Sequence, residues 1–533
     1  MRTGRSDMGS REMTKNIVFF VLLFTYPLLS FVWRRDYPVF SLEVMWLLGI
    51  LFVTALCVGL LCSRISPAIS NLVTALALFL VFVLQLNPSF SGLVVGLIAI
   101  GGVLFVFKQR LRRVGVYILA AILLGAWLDS RLESNTDWSV DDPERVDKRL
   151  SPVVHILLDG FIGVAGLPDY PASGLIRRKM LTFFEVNDFE LYTHAYSRFA
   201  RTGESVYSAM NFRHTFDLSF GLQKLSDEQH VLQENAVFSM MESMGYRLNI
   251  YQTGHINMCR SNPANLDRCW QYDQPNIRSV LGAGDARMRF YALLKTLLSQ
   301  SRVAKRMIEN TEWNAVIEVA NYNPTLFDVL SEDLGERPWG NYFYAHALIP
   351  HGPYIYQPGC TVSYDHAPLL TSARTLEEPP LQGDVYEVRN GLYFGQIDCA
   401  LDTLQSLFDD MKARGVYDRA VIVLHGDHGS RIGRYQYLSE HMQDLSVADY
   451  RAGFSTLFAV KYPGSRFALR DTPLPLARLL EIYMEEMPNY VREATEHPVI
   501  SPQAEADPVK TDMNIYLLGE VPPTRVAIDL FGD

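Results

Sequence analysis

Two apolar stretches of this chain end in charge. Val421 to Leu424 run into His425, Gly426, Asp427, His428 and Gly429, and the run PVVHILLDG, residues 152–160, closes on Asp159 and Gly160. A continuous apolar run of this length reads as a strand buried on both faces. Ligands of open α/β sheets gather beyond the carboxyl ends of such strands. A carboxylate there is also what a turn or a helix cap uses, and a strand histidine such as His155 is what a satisfied core uses. Two strands that each present a carboxylate at the same end, one with an adjacent imidazole, supply the mixed oxygen and nitrogen donors of a cation site. Glycines beside them let the backbone turn sharply.

Two further stretches carry reactive groups. FARTGESVYSAMNF, residues 199–212, clusters Arg201, Thr202, Glu204, Ser205 and Ser208 at what reads as the start of a short helix. A hydroxyl in that position is either a helix cap or a group held where free N–H donors receive a phosphate or sulfate. YAHALIPHGPY places His346 in a strand and His351 five residues on in a Gly-Pro turn. Histidines so placed could ligate, bond an oxyanion or protonate a leaving group, and His346 alone is also a plausible core residue.

The elements that must position these groups follow from periodicity. SPVVHILLD, FELYTHAY, YRLNIYQ, NYFYAHALI, AVIVLHG and FSTLFAVKY read as strands, and Ile397, Leu401, Leu404, Phe408 and Met411 recur at helical spacing between two of them. Alternation of this kind builds a largely parallel sheet with helices on both faces. No internal repeat or low-complexity segment interrupts it.

Before this domain lie five nearly uncharged runs, 17–33, 42–62, 69–86, 90–107 and 114–127, most near the length a helix needs to span a bilayer. Arg2, Arg5, Arg11 and Lys15 precede the first, Arg64 follows the second, and Lys108, Arg110, Arg112 and Arg113 follow the fourth; only Arg34 and Arg35 oppose them. The positive-inside rule puts the N-terminus in the cytoplasm, and an odd number of spans delivers everything after Asp129 to the other side. The expected organisation is a membrane domain over 1–129, a polar juxtamembrane linker over 130–150 and a catalytic domain over 151–533. Cys57 and Cys62 fall in the second run, and Cys259, Cys269, Cys360 and Cys399 in the exported part. We pair Cys259 with Cys269 and Cys360 with Cys399; sequence alone leaves connectivity, and free thiols, open. A net charge of -10 argues against a nucleic-acid surface.

Taken in order, strand-Asp159, the hydroxyl of Ser205, His346 and His351 in HALIPHGPY, and GDHG with Asp427 and His428 resemble the alkaline phosphatase and sulfatase superfamily over roughly residues 150–465. The apolar runs ahead of the domain make it similar to the membrane-anchored branch that contains phosphoethanolamine transferases and lipoteichoic-acid (phosphoglycerol) synthases. The resemblance implies an alkaline-phosphatase-like three-layer α/β/α domain behind a bundle of about five transmembrane helices, in a bacterial inner membrane with the catalytic domain outside. It implies Asp159, Asp427 and His428 as metal ligands and Ser205 as nucleophile and fourth ligand, because Ser205-Val-Tyr-Ser208 matches the family's nucleophile, two residues, then serine. Those transferases carry threonine there, so Thr202 is the alternative. His346 and His351 match the family's substrate-side pair, His441 approximates a further histidine, and Arg431 joins it as a substrate-binding group. Zinc suits the donor set best, manganese next and calcium least. The activity implied is transfer of a phospholipid head group, of phosphoethanolamine or phosphoglycerol type, to an envelope glycan or lipid through a phospho-enzyme.

Other readings share the motifs. A phosphatase or phosphodiesterase uses the same chemistry with water as acceptor. A sulfatase needs a Cys/Ser-x-Pro-x-Arg signature, and here Tyr207 replaces the proline and Ala209 the arginine. A non-catalytic membrane scaffold has no reason to keep the ligand-type residues.

Overall fold

The structure is a computed structural model that describes residues 3–34, 37–86, 150–214, 222–226, 229–253, 255–259, 263–271, 286–299, 312–362, 384–433, 435–491, 513–517 and 524–531. The chain forms two compact units: residues 1–137 with 275–321, and residues 138–274 with 322–533.

The first unit holds helices α1 (Thr3–Arg34), α2 (Leu42–Arg64) and α3 (Pro67–Leu86), and a later helix, α6 (Ala286–Ser299). Phe19, Phe20, Leu23, Ala55 and Ala77 are buried in one cluster among α1, α2 and α3. Gly59 of α2 lies so near α1 that a Cβ there would stand 2.9 Å from the Ile17 Cα, the close backbone approach that small residues allow between apolar helices. Among the described residues two helices are long and apolar enough to cross a membrane, Met13–Trp33 and Leu42–Arg64, where about five spans were expected. The third run forms helix α3, Pro67–Leu86. The fourth and fifth runs and the linker up to residue 149 lie outside the described residues.

The second unit is built on a mixed eight-stranded sheet. Its strands are β1 (Val153–Leu158), β2 (Glu190–Tyr192), β3 (Arg247–Gln252), β4 (Leu266–Gln271), β5 (Asn341–Ala347), β6 (Val421–Gly426), β7 (Phe458–Lys461) and β8 (Ala468–Arg470). They lie in the order β8-β2-β7-β6-β1-β5-β3-β4. β6, β1, β5, β3 and β4 run parallel, while β7 is antiparallel to both its neighbours. Each expected strand supplies a strand of this sheet; FELYTHAY gives β2 and a separate short strand, Ala195–Tyr196. β4 was not foreseen, because LDRCWQ is half exposed and shows no apolar run. Every residue of β1 and β6 is buried, as their uninterrupted apolar sequences require.

On one side of the sheet Val153, Leu157, Val421 and Val423 pack in a single core with Val206 and Met210 of helix α5 (Thr202–Met210) and Leu479 and Leu480 of helix α8 (Leu476–Glu486). Each such aliphatic side chain taken out of water contributes about 1.5 to 3 kcal/mol. Helices α4 (Pro171–Val186) and α7 (Asp384–Ala413) pack on one another, with Phe408 stacked 5.8 Å from Phe183 and Lys179 2.6 Å from Asp398. The helical stripe Ile397, Leu401, Leu404, Phe408 and Met411 lies on α7 and is buried. Both expected disulfides are present, Cys259–Cys269 and Cys360–Cys399.

Candidate active site

Register alone brings the two carboxylates together. β1 and β6 are parallel neighbours whose last paired residues are Leu158 and Gly426, so the next residue of each strand, Asp159 and Asp427, leaves the sheet side by side. Both continue the odd-numbered face that α5 covers. β5 adds His346, which pairs with Leu157 of β1, and the Asp159 N–H donates to the Ala347 carbonyl at 2.9 Å.

The turns beyond the strands then fix each side chain. Gly160 has φ +69°, a conformation favoured by glycine, and its N–H donates to Asp427 Oδ1 at 2.7 Å. The His428 N–H donates to the same oxygen at 3.0 Å. A Cβ on Gly429 would collide with the Ala452 and Ser455 carbonyl oxygens, so only glycine lets the DHG turn lie this deep. His428 Nδ1–H donates to the Gly429 carbonyl at 2.7 Å, which leaves the Nε2 lone pair facing the carboxylates. That Nε2 lies 3.3 Å from Asp427 Oδ2 and 3.9 Å from Asp159 Oδ1.

Both of these carboxylate oxygens, Asp159 Oδ1 and Asp427 Oδ2, are buried and have no hydrogen-bond partner among the described residues. One donor atom from each of Asp159, Asp427 and His428 falls within 4.8 Å of the others. Orphaned anionic oxygens cost several kcal/mol each in a protein interior, so a convergent set of them with an imidazole lone pair fits a divalent cation and little else. The electrostatics point the same way. Burial would raise the Asp159 carboxyl, but the charge of His351 and the hydrogen bond and charge of His346 hold it well below the usual carboxylate range. Burial pushes the His428 imidazole below its ordinary value, with Arg431 acting in the same direction and Asp427 opposing, which favours the neutral, ligating form.

The hydroxyl that reaches this cluster is that of Thr202. As the first residue of α5, it donates through Oγ1 to Asp159 Oδ2 at 3.4 Å and lies 3.4 Å from His428 Nε2. Ser205, expected as nucleophile and ligand, is one turn deeper. Its Oγ donates to the Asp427 carbonyl oxygen and shares a 2.7 Å bond with Ser197, and its N–H is already committed to the Arg201 carbonyl at 3.1 Å. Only the first turn of a helix has N–H groups to spare, so the residue three positions earlier faces the site. Ser208 bonds the Arg213 carbonyl and takes no part.

His346 Nε2 lies 3.2 Å from Asp159 Oδ2, so this strand histidine belongs to the cluster. His351 is half-buried beside Gly160, its Nδ1–H donating to the Gly352 carbonyl at 2.7 Å. Arg431 Nη2 donates to His428 Nε2 at 3.1 Å, so a cation taking that lone pair would displace the guanidinium from it. His441 sits in a separate turn, 3.7 Å from Glu440 and against the Tyr435 ring; its described contacts do not join it to the cluster.

Two residues of α7 that the sequence did not single out hold the loops in place. The Tyr393 hydroxyl donates to the Gly160 carbonyl at 2.7 Å and accepts from the Ile162 N–H at 3.0 Å. Three residues on, the Gln396 amide donates to the His351 carbonyl at 3.1 Å and accepts from the Tyr356 N–H at 2.8 Å. Their spacing puts them on one face of the helix, but only the fold shows which loops they meet.

No protein-family model matches the chain, and no curated protein does. Solved structures do. The C-terminal periplasmic domain of EcEptC from Escherichia coli, in complex with Zn, is 14% identical, with a TM-score of 0.39 over 66% of this chain and 90% of that one. The lipoteichoic acid synthase LtaP from Listeria monocytogenes is 14% identical, with a TM-score of 0.34 over 63% and 70%. The phosphonate monoester hydrolase SpPMH from Silicibacter pomeroyi is 15% identical, with a TM-score of 0.34 over 62% and 72%. Likenesses this distant assign no residue a role. The solved structures that this chain resembles are members of the alkaline phosphatase and sulfatase superfamily, the same family that its motifs resemble.

Proposed function

We propose that the chain is a membrane-anchored, metal-dependent phosphoryl-group transferase. It acts outside the cytoplasm, moving a phospholipid head group of phosphoethanolamine or phosphoglycerol type to an envelope glycan or lipid. The observation that carries this reading is the Thr202 hydroxyl, buried at a helix N-terminus within 3.4 Å of both Asp159 and His428, beside two carboxylate oxygens that lack partners.

Asp159, Asp427 and His428 would hold the metal, zinc before manganese or calcium, with the Thr202 oxygen beside them. Seated there, the cation would neutralise charge on the phosphate and lower the pKa of the hydroxyl. The N–H groups of the first turn of α5 receive phosphoryl oxygens. Thr202 Oγ1 gives up its proton to water and bonds phosphorus, as the bond from phosphorus to the lipid's glycerol oxygen breaks. His351, beside Asp159, protonates that departing oxygen. In the second half the acceptor hydroxyl gives a proton to His351 and bonds phosphorus, and Thr202 leaves with its proton restored. Asp427, held by two backbone N–H groups, and His428, held through its Nδ1, stay fixed throughout. Arg431, near the same Nε2, is assigned to the phosphate oxygens, and His441 to the acceptor side.

The test is intact-mass and peptide analysis of the full chain after incubation with phosphatidylethanolamine or phosphatidylglycerol vesicles. A phosphoethanolamine or phosphoglycerol adduct on Thr202, lost with chelator, is the expected result. Chelator-insensitive turnover with no adduct sinks the proposal, and an adduct that only water discharges turns it into a hydrolase of the same fold.

A further inference from the structure

One helix of the first unit comes from sequence far downstream of the N-terminal helices: residues 275–321 belong with 1–137 although they interrupt the sequence of the sheet unit. Within them α6, ARMRFYALLKTLLS, carries Arg287, Arg289 and Lys295 and no acid, in a chain whose net charge is -10. A short cationic helix rich in Leu, Phe and Tyr has the composition of one that lies on a membrane surface.

Its contacts place it at one end of α2. Arg289 Nε is 3.3 Å from Glu43 Oε2, and the Phe290 ring is 6.3 Å from that of Trp46. Glu43 is 1% exposed and accepts a 2.6 Å bond from the Tyr37 hydroxyl. A buried carboxylate in the first turn of an apolar helix is costly unless it is paired, so Tyr37 and Arg289 make this attachment a specific one. Leu293 and Ala292 are buried, whereas Tyr291 is exposed; on the neighbouring end of α2, Phe40 is 89% and Trp46 49% exposed. Exposed aromatics at the end of an apolar span, next to cations, are the pattern of the membrane–water interface.

Taking α2 as a membrane span, we propose that α6 is an interfacial helix that lies on the phospholipid surface where α2 enters the bilayer. Arg287 meets anionic head groups, Tyr291 enters the acyl boundary with Phe40 and Trp46, and the Glu43–Arg289 pair pins the helix to the span.

The test uses the full chain in bilayer discs of phosphatidylcholine and phosphatidylglycerol, with Cys57→Ser and Cys62→Ala and both disulfides intact. Nitroxide labels at Tyr291→Cys, at Phe52→Cys within α2 and at Glu440→Cys as an aqueous reference are read against oxygen and a water-soluble nickel chelate. Expected is a roughly tenfold lower nickel collision rate at 291 than at 440, with oxygen still reaching it, as for a side chain at the acyl boundary. Arg289→Glu should restore nickel access at 291, and Glu43→Arg in the same chain should remove it again. Nickel access at 291 equal to that at 440, with 52 shielded, overturns the proposal and leaves the span. A label at 291 closed to both reagents also overturns it, since protein then covers the helix. Nickel access at 52 removes the span reading itself.

Discussion

β1 and β6 carry two buried polar clusters a few residues apart, and the clusters differ in how their lone pairs are spent. In mid-strand, Tyr342 O–H donates to His155 Nδ1 at 2.6 Å, His155 Nε2–H donates to His425 Nε2 at 2.7 Å, and His425 Nδ1–H donates to the Gly426 carbonyl at 2.8 Å. One set of neutral tautomers, assigned from the network, satisfies every bond. At the strand ends Asp159 and Asp427 are as deeply buried, yet each keeps an oxygen without a partner. Burial and residue type therefore do not separate a site from a core; convergent, unspent lone pairs do. The first cluster is finished by the protein, and the second is finished only by something else.

If that distinction holds, substitutions at the strand ends act on chemistry and those in mid-strand act on stability. The largest effect is at Thr202. Thr202→Ala should cut transfer by on the order of 10⁴-fold or more while the purified chain keeps its metal, measured by elemental mass spectrometry beside a head-group transfer assay. Asp427→Asn and His428→Ala should lose metal and activity together. Full activity in Thr202→Ala would return the nucleophile to another residue.

His155→Leu is the counterpart in the finished cluster. It strands the Tyr342 hydroxyl and the His425 Nε2 in the interior, each at roughly 1 to 3 kcal/mol. Denaturant unfolding should show a loss of about 3 kcal/mol, and the folded fraction should still bind metal. Loss of metal with unchanged stability would merge the two clusters into one.

The same residues set an expected pH dependence. Burial holds His155 well below its ordinary value, and it holds His425 down to about 4 against the opposing hydrogen bond to the Gly426 carbonyl. The unfolded chain takes up protons below about pH 6.5 that the folded one refuses, so this stability is complete above pH 6.5 and falls as the pH drops toward 4. The slope is about 1.4 kcal/mol per pH unit for each such histidine. In His155→Leu it should fall by one histidine's share across pH 4.5 to 6.5, read from melting temperatures; an unchanged slope would mean that His155 is not buried neutral.

How much of this was legible depends on which residues must agree. Asp159 and Asp427 could be read because an apolar run fixes a strand, and the residue that ends it lies at the sheet's edge wherever the strands go. That the hydroxyl facing the carboxylates is that of Thr202 and not that of Ser205 could not, since it turns on which residue opens α5 and sequence places a helix start only to within a residue or two. Tyr393 and Gln396 were hidden because their partners, the turns at Gly160 and His351, are joined to α7 only by packing. The reversed direction of β7 and the half-exposed edge strand β4 left no mark in periodicity. Two of the five apolar runs are helices long and apolar enough to cross a membrane, yet nothing in residues 275–321 signalled that they belong with that unit.

The smallest expected effect is at Ser205, and it sharpens the comparison most, because Ser205 lies within one turn of Thr202 but has spent its bonds as the mid-strand histidines have. Its hydroxyl bridges the Asp427 carbonyl and Ser197 Oγ, and neither contact reaches the carboxylates or the His428 lone pair. Ser205→Ala removes one buried hydroxyl and leaves the Asp427 carbonyl without that donor, a cost of about 1 kcal/mol. The turn that carries Asp427 is still held by the Gly160 and His428 N–H groups, so metal content should not change and transfer should stay within a few-fold of the parent. Ser205→Thr is the complementary variant: its added methyl group must fit beside a side chain that is 2% exposed, so it should destabilise more than Ser205→Ala although it keeps the hydroxyl. A nucleophile would rank these two in the opposite order by activity, with threonine retained and alanine dead, so that order measured on folded protein would move the phospho-adduct from Thr202 to Ser205.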